Sequence, residues 1–195
     1  MPRLWNATID EHRRTVHAAI LDTAAALIAE HGLAGVTMSQ IAAQAGIGRA
    51  TLYKYFPDVE AIVVAWHERQ VTEHLAQLTA AAAAPAEPAA RLRTVLHTLA
   101  ELTGGRHEPA AHGPGPAVSL HRAEHLHHAR RQLHAMLTDV IAAAAAAGDV
   151  RTDMPAADLA TFALHALGAA AAAGGPAAGP VELTLAALRV SPPSG

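Results

Sequence analysis

The sequence predicts an all-α protein, with an N-terminal three-helix helix-turn-helix domain fused to a larger C-terminal helical domain. Alanine, the strongest helix former, accounts for 50 of the 195 residues. Apolar residues recur at helical spacing along most of the chain, and no segment alternates apolar and polar residues as a half-buried strand does. Residues 37–57 have the pattern of a short helix, a glycine-containing turn and a second short helix. We therefore expect a first domain over residues 1–57 and a second over residues 58–195.

Capping residues predict the limits of the first helices. Thr8 and Glu11 have the spacing of a capping box, so the first helix is expected to begin at Thr8. Gly32 supplies the left-handed residue that ends it. Thr37 and Gln40 form a second capping box, which opens the next helix.

Apolar stripes predict the helices of the C-terminal domain. Asp58 is expected to cap a long helix that ends before Pro85. The segment 104–116, rich in Gly and Pro, is expected to be irregular, and so is the tail after residue 190. The stripes predict further helices over about 92–102, 124–147, 155–173 and 181–188.

Composition excludes several classes of protein. With no cysteine in the chain, neither a disulfide framework nor a thiolate metal site can form. The N-terminus lacks the features of a signal peptide, and the alanine tracts are too short to cross a bilayer. We therefore expect a cytoplasmic protein without a membrane partner. The net charge is −3, and residues 1–60 carry five Lys and Arg against six Asp and Glu. Nucleic-acid binding would therefore depend on where these few cations lie.

The pattern over residues 37–62 predicts which side chains face solvent. Ala42, Ala45 and Gly46 are expected to be small because the two short helices cross there. This packing leaves one face of the second short helix exposed, where its N-terminal part would meet base edges in a major groove. The shared core is expected to contain Ile41, Ile47, Leu52 and Phe56, and the exposed face Arg49, Ala50, Tyr53 and Lys54.

The motif resembles that of the TetR family of bacterial repressors over about residues 10–65. Ala45-Gly46-Ile47, Thr51-Leu52-Tyr53 and Tyr55-Phe56-Pro57 occur in the family's order and spacing. Three positions depart from the pattern. Gly48 replaces a capping Ser or Thr, Ala50 replaces a Gly, and Val59 replaces a phosphate-contacting Lys. The resemblance therefore implies a DNA-binding regulator that lacks one expected backbone contact.

The resemblance also implies which residues touch DNA. Thr37, Tyr53 and Tyr55 would contact phosphates. Arg49, Ala50 and Lys54 would lie at base-facing positions, where Arg49 would grip a guanine and Ala50 would touch a thymine methyl group. Alternatively, the cations are only solvated and the tyrosines only pack between helices. The full implied contact set is Thr37, Ser39, Arg49, Ala50, Thr51, Tyr53, Lys54 and Tyr55.

A C-terminal ligand-binding and dimerisation domain follows from the same resemblance. A homodimer would form through the segments 155–173 and 181–190, and a palindromic operator requires such twofold pairing. The small residues Ala160, Ala163, Gly168, Ala171 and Ala172 fit close helix approach, unless they pack within the monomer. The expected lining of a small-molecule site, or alternatively part of the core, is Trp66, Leu96, Leu99, Leu126 and Phe162.

Histidines provide the one alternative involving a metal. The spacing of His121, His125 and His128 would place three imidazoles on one helical face, where Zn²⁺, Ni²⁺ or Cu²⁺ could bind. The alternative is a solvated face, and we expect no metal and no cofactor.

These patterns predict a transcriptional repressor that a small molecule releases from a palindromic DNA operator. A metal-responsive regulator is the alternative within that class. A helical protein that binds another protein is the alternative outside it. The chain carries no HExxH motif, phosphate loop or nucleophile elbow, so we do not expect an enzyme.

Overall fold

The computed structural model describes residues 3–104, 116–174 and 176–189, and their side chains over 9–104, 124–174 and 176–189. The described residues form eight α-helices and a single 3-10 turn at Leu33–Gly35, without a strand. This confirms the predicted all-α fold. The helices are α1 (Arg3–His31), α2 (Met38–Gln44), α3 (Arg49–Tyr55), α4 (Val59–Ala83), α5 (Pro88–Gly104), α6 (Pro116–Ala146), α7 (Ala156–Ala172) and α8 (Ala178–Leu188).

Four helices begin earlier than the sequence predicts, and one of them is α5, which begins at Pro88 and not at about residue 92. The expected start of α1 at Thr8 is wrong, because the helix already runs from Arg3. No Gly or Pro lies between these two positions to interrupt the backbone. α6 begins at Pro116, where a proline at the first helical position lacks only an N–H that would be unpaired anyway. α8 begins at Ala178, three residues before the expected position. The expected irregular segment 104–116 and the tail lie almost entirely outside the described residues.

The chain divides into two compact units. The first contains residues up to Gln70 together with the start of α6 up to His125, and the second contains the rest from Val71 and from Leu126. The predicted boundary after residue 57 therefore differs from the observed one. Ile62 accounts for the difference, since its side chain is fully buried in the core of the first unit.

The first unit has a core built by α1, α2, α3 and the beginning of α4. Its largest fully buried side chains are Ile20, Leu21, Ile41, Leu52 and Ile62. Burial of an aliphatic side chain of this size stabilises a fold by about 1.5–3 kcal/mol. The core therefore holds the two short helices, which are too short to be stable alone.

The second unit has its own core, to which α4, α5, α6, α7 and α8 contribute. Arg93 of α5 forms an ion pair with Glu182 of α8. Ala160 and Ala163 are fully buried in this core, so the expectation that they form a dimer contact is wrong. Small side chains at these positions let helices approach closely within one chain.

Among the described residues, no helix combines the length and apolar content that a membrane-spanning segment requires.

Candidate functional site

A capping box closes the N-terminus of α2, the first helix of the helix-turn-helix motif. The backbone N–H of Gln40 donates to Thr37 Oγ1 at 3.3 Å, and the N–H of Thr37 donates to Gln40 Oε1 at 2.9 Å. The Thr37 hydroxyl also donates to Gln40 Oε1 at 2.7 Å. Two free helical N–H groups are thereby satisfied, as the sequence predicts. Thr37 and its neighbour Ser39 are both exposed at this end of the motif.

The turn between α2 and α3 is a Schellman motif. The N–H of Ile47 donates to the carbonyl of Ala42 at 3.0 Å, and that of Gly46 to Ala43 at 3.3 Å. Gly46 has φ +67°, a conformation that costs other residues energy. A Cβ placed on Gly46 would meet no heavy atom within 4 Å. The expectation that Gly46 must be small for helix crossing is therefore wrong, since its backbone angle is what requires glycine.

Most side chains of α3 are exposed to solvent. Its one fully buried side chain is that of Leu52, and Phe56, the residue that caps its C-terminus, is 6% exposed. Gly48 caps its N-terminus without a side-chain hydrogen bond. The exposed residues of α3 are Arg49, Ala50, Thr51, Tyr53 and Lys54.

Two cations on this face are available to a ligand. Neither Arg49 nor Lys54 makes a hydrogen bond or ion pair with any residue that the structure describes. Tyr53 is 48% exposed beside them. Tyr55 differs, because its half-buried ring packs against the core of the first unit. α3 thus exposes a guanidinium, an ammonium and a phenol, and DNA recognition uses these side chains for phosphates and base edges.

The structure shows an aromatic contact at the end of α3 that no pattern in the sequence indicates. The imidazole of His17 lies 5.0 Å from the ring of Phe56 and 6.4 Å from that of Tyr55, measured between ring centroids. Partial burial, and then the positive charge of Arg69, lower the pKa of His17. Arg69 in turn pairs with Asp22. These contacts join α1 and α4 to the end of α3.

The second unit contains a cavity of about 1120 Å³ between α4, α5, α6 and α7. This volume slightly exceeds the range of about 300–1,000 Å³ that is usual for small-molecule sites. Eight leucines form much of its wall, whereas no Asp or Glu occurs among the described residues that line it. The polar side chains at the cavity include His74, His127, His134, His165, Arg130 and Arg131.

The predicted ligand-site residues separate into two groups. Leu99 and Leu126 line the cavity. Leu96 is fully buried in the core of the second unit, and Trp66 packs against the core of the first. Phe162 is 48% exposed on α7. The structure therefore brings two of the five residues to the cavity.

The histidines of α6 do not form a metal site in the part of the chain with described side chains. No cluster of three or more His, Asp or Glu that could hold a metal ion occurs there. His125 is half-buried and His128 is exposed. His121 lies in α6, but its side chain is outside the described residues.

Comparison with known proteins points to one family for the first unit. The family model described as bacterial regulatory proteins of the tetR family matches residues 20–66. Two Mycobacterium tuberculosis proteins, both named HTH-type transcriptional regulators, are 37% identical to this chain over 100 residues. The match covers 50% of this chain and 48% of each relative. The chain thus spans about half the length of the relatives that it matches.

Solved structures share the fold over a larger part of the chain. A TetR/AcrR transcriptional regulator from Thermobifida fusca superposes with a TM-score of 0.72 at 20% identity, covering 87% of this chain and 94% of that one. AibR, in complex with isovaleryl coenzyme A and operator DNA, has a TM-score of 0.60 at 19% identity, with coverages of 89% and 98%. Likeness at such low identity concerns the fold.

Proposed function

We propose that the chain is a member of the TetR family of bacterial regulatory proteins and acts as a homodimeric transcriptional repressor released from its operator by a small molecule. The observation that carries the proposal is the surface of α3, where two cations without partners among the described residues stand beside an exposed tyrosine. Such a helix fits into a major groove.

Each side chain on α3 has a distinct part in DNA binding. Arg49, in the first turn, reads guanine O6 and N7 with its planar fork. Ala50 touches a thymine methyl group, and Lys54 neutralises a phosphate. Tyr53 and Thr37 donate hydroxyl hydrogen bonds to phosphates, for which Thr37 exchanges its bond to Gln40 Oε1. The other phosphate contacts are assigned to Ser39, Thr51 and Tyr55.

A homodimer supplies the second reading head. α7 and α8 expose two large apolar side chains, with Phe162 48% and Leu183 74% accessible. Burial of these two side chains in a twofold contact would stabilise a dimer through the hydrophobic effect. The dimer contact therefore involves these exposed positions, in place of the buried Ala160 and Ala163.

The effector occupies the cavity of the second unit. A leucine-lined cavity of about 1120 Å³ with a few polar side chains has the character of a small-molecule site. AibR, which shares the fold, has been crystallised in complex with isovaleryl coenzyme A and operator DNA, and this supports both kinds of partner for the fold. Effector binding releases DNA if the effector favours a dimer in which the two α3 helices have the wrong spacing for the operator. The coupling free energy between effector binding and DNA binding is typically about 1–3 kcal/mol.

The test begins with selection of genomic DNA fragments by the purified protein, followed by fluorescence anisotropy on a selected fragment. Arg49→Ala is expected to weaken binding by about 1–3 kcal/mol, since it removes a bidentate base contact. Arg189→Ala, which removes an exposed cation after α8, serves as the matched control and should bind as the wild type does. Failure to retain any fragment would overturn the proposal and favour a protein-binding role.

A further inference from the structure

The wall of the cavity selects for an aliphatic chain. Leu75, Leu78, Leu99, Leu102 and Leu133 come from three different helices, α4, α5 and α6, and surround the same space. None of these side chains can donate or accept a hydrogen bond, so a polar ligand would lose its hydration there without compensation. A flexible hydrocarbon chain forms no hydrogen bonds with water, so it would lose none on entering the cavity.

The charged side chains at the cavity all have one sign. Arg130 and Arg131 lie next to each other on α6, and four histidines add further N–H donors. No described lining residue is acidic, so no carboxylate neutralises these cations within the cavity. An anionic group is the natural partner for such an arrangement.

Arg130 is the side chain best placed to meet an anion. It is exposed and makes no hydrogen bond or ion pair with any residue that the structure describes. The guanidinium of Arg131 is similarly exposed, and its Nη2 approaches only the Nδ1 of His128, at 3.5 Å, among the described residues. Both guanidinium groups can therefore turn to an anion without breaking an ion pair.

Two histidines are fixed at the wall by α7. His134 Nε2 lies 3.1 Å from the carbonyl of Ala157 and 3.0 Å from Thr161 Oγ1, and His165 Nδ1 lies 2.7 Å from the carbonyl of Thr161. Because a carbonyl only accepts, each of these ring nitrogens is the donor. The opposite nitrogen of each ring makes no bond to another described residue, and it is left for a ligand.

We propose that the effector is an anionic amphiphile, an aliphatic chain that lies among the leucines and carries a carboxylate or phosphate head group bound by Arg130 and Arg131. The inference rests on the proposed function for the role of the cavity, but it concerns ligand class alone. Binding of the amphiphile can be measured without DNA, so the two proposals fail separately.

The direct test is isothermal titration calorimetry of the full chain with hexadecanoate, hexadecyl phosphate and hexadecanol, each kept below its solubility limit and, for the two anions, below the critical micelle concentration. We expect one or both anions to bind and hexadecanol to bind at least about tenfold more weakly, since it cannot make charge-assisted hydrogen bonds. The two anions identify the head group as carboxylate or phosphate. Equal binding of the alcohol and both anions, or no binding of either anion, would overturn the proposal.

Three variants locate the ligand. Arg130→Gln with Arg131→Gln should weaken anion binding about tenfold and leave hexadecanol binding unchanged. Arg189→Gln removes one cation outside the cavity and should have no effect. Gly168 lines the cavity, and a Cβ placed on it meets no heavy atom within 4 Å. Gly168→Phe should therefore add a ring at the cavity wall. It should shift the preference to shorter chains, such as decanoate, while the fold is retained. An unchanged affinity in the double arginine variant would place the head group elsewhere and overturn the assignment.

Discussion

The imidazole of His17 packs on the ring of Phe56 with 5.0 Å between centroids and 40° between planes. His17 belongs to α1, whereas Phe56 caps the end of α3, so the contact fixes the helix with the exposed cations against α1. The imidazole is partly buried and near Arg69, and both conditions disfavour its charged form. The helix carrying Arg49 and Lys54 is thus held in part by a titratable group.

The first prediction concerns the stability of this contact against pH. The folded pKa of His17 lies below its ordinary value of 6.5, so the unfolded chain binds the proton more tightly than the folded one. The contribution of His17 to the free energy of unfolding is therefore complete above pH 6.5 and decreases as the pH falls below it. Urea unfolding between about pH 7.5 and 5.5 measures this dependence.

Variants assign the effect to one histidine. His17→Gln cannot gain the proton, so its unfolding free energy should change less with pH than that of the wild type. His12→Gln alters an exposed position on the same helix and should leave the wild-type dependence intact. Identical pH dependence in the wild type and His17→Gln would contradict the role given to the imidazole.

Replacement of glycine by alanine is expected to have opposite effects on stability at positions 46 and 168. Gly46→Ala forces an L residue to φ +67° and should destabilise the first unit by about 1–2 kcal/mol. Gly168 lies within α7, and a Cβ there meets open space, so Gly168→Ala should stabilise the second unit by up to about 1 kcal/mol. Thermal unfolding of both variants checks the signs. Stabilisation by Gly46→Ala would show that the turn does not need its left-handed residue.

Several features of the fold were predictable from local sequence. Thr37 and Gln40, three residues apart, form the predicted capping box. Gly32 ends α1 with a positive φ of 73°, but its ψ of 160° differs from that of the predicted left-handed helical conformation. Asp58 caps α4 as expected, with its Oδ1 accepting from the N–H of Ala61 at 2.8 Å. Caps depend on a few neighbouring residues, and the sequence contains that information directly.

Features that depend on distant residues were not predictable. Leu96 and Leu99 belong to the same apolar stripe of α5 and are both buried in the core of the second unit, yet only Leu99 also lines the cavity. Periodicity identifies the inward face of a helix but not whether that face meets another helix or a space. The contact of His17 with Phe56 joins positions 39 residues apart, and no local pattern indicates it.

A third prediction concerns the dependence of DNA binding on salt. The first unit is poor in cations, and Val59 stands where the family pattern has a Lys, so about three or four phosphate charges should be neutralised per subunit. Lys54→Ala should reduce the slope of log affinity against log salt by about 1 per subunit. Arg189→Ala should not change it. Anisotropy titrations from low to moderate salt provide the slope, and a much steeper wild-type value would contradict the sparse contact set.

A fourth prediction concerns the dimer. Leu183→Glu places a charge on the exposed apolar face of α8 and should weaken self-association by at least about tenfold, because the contact would bury that charge unpaired. Met154→Glu changes a side chain that is 44% exposed outside the helices and serves as the control. Sedimentation equilibrium measures both. A dimer of unchanged strength in Leu183→Glu would remove α8 from the interface.

In the proposed complex, two copies of α3 read successive major grooves. Methylation protection of guanine N7 on a selected operator detects this arrangement, because Arg49 would cover that atom. We expect two protected guanine positions about 34–36 Å apart along the duplex, one for each subunit. Both should lose protection in Arg49→Ala. A single protected position, or protection that persists in this variant, would rule out this mode of DNA binding.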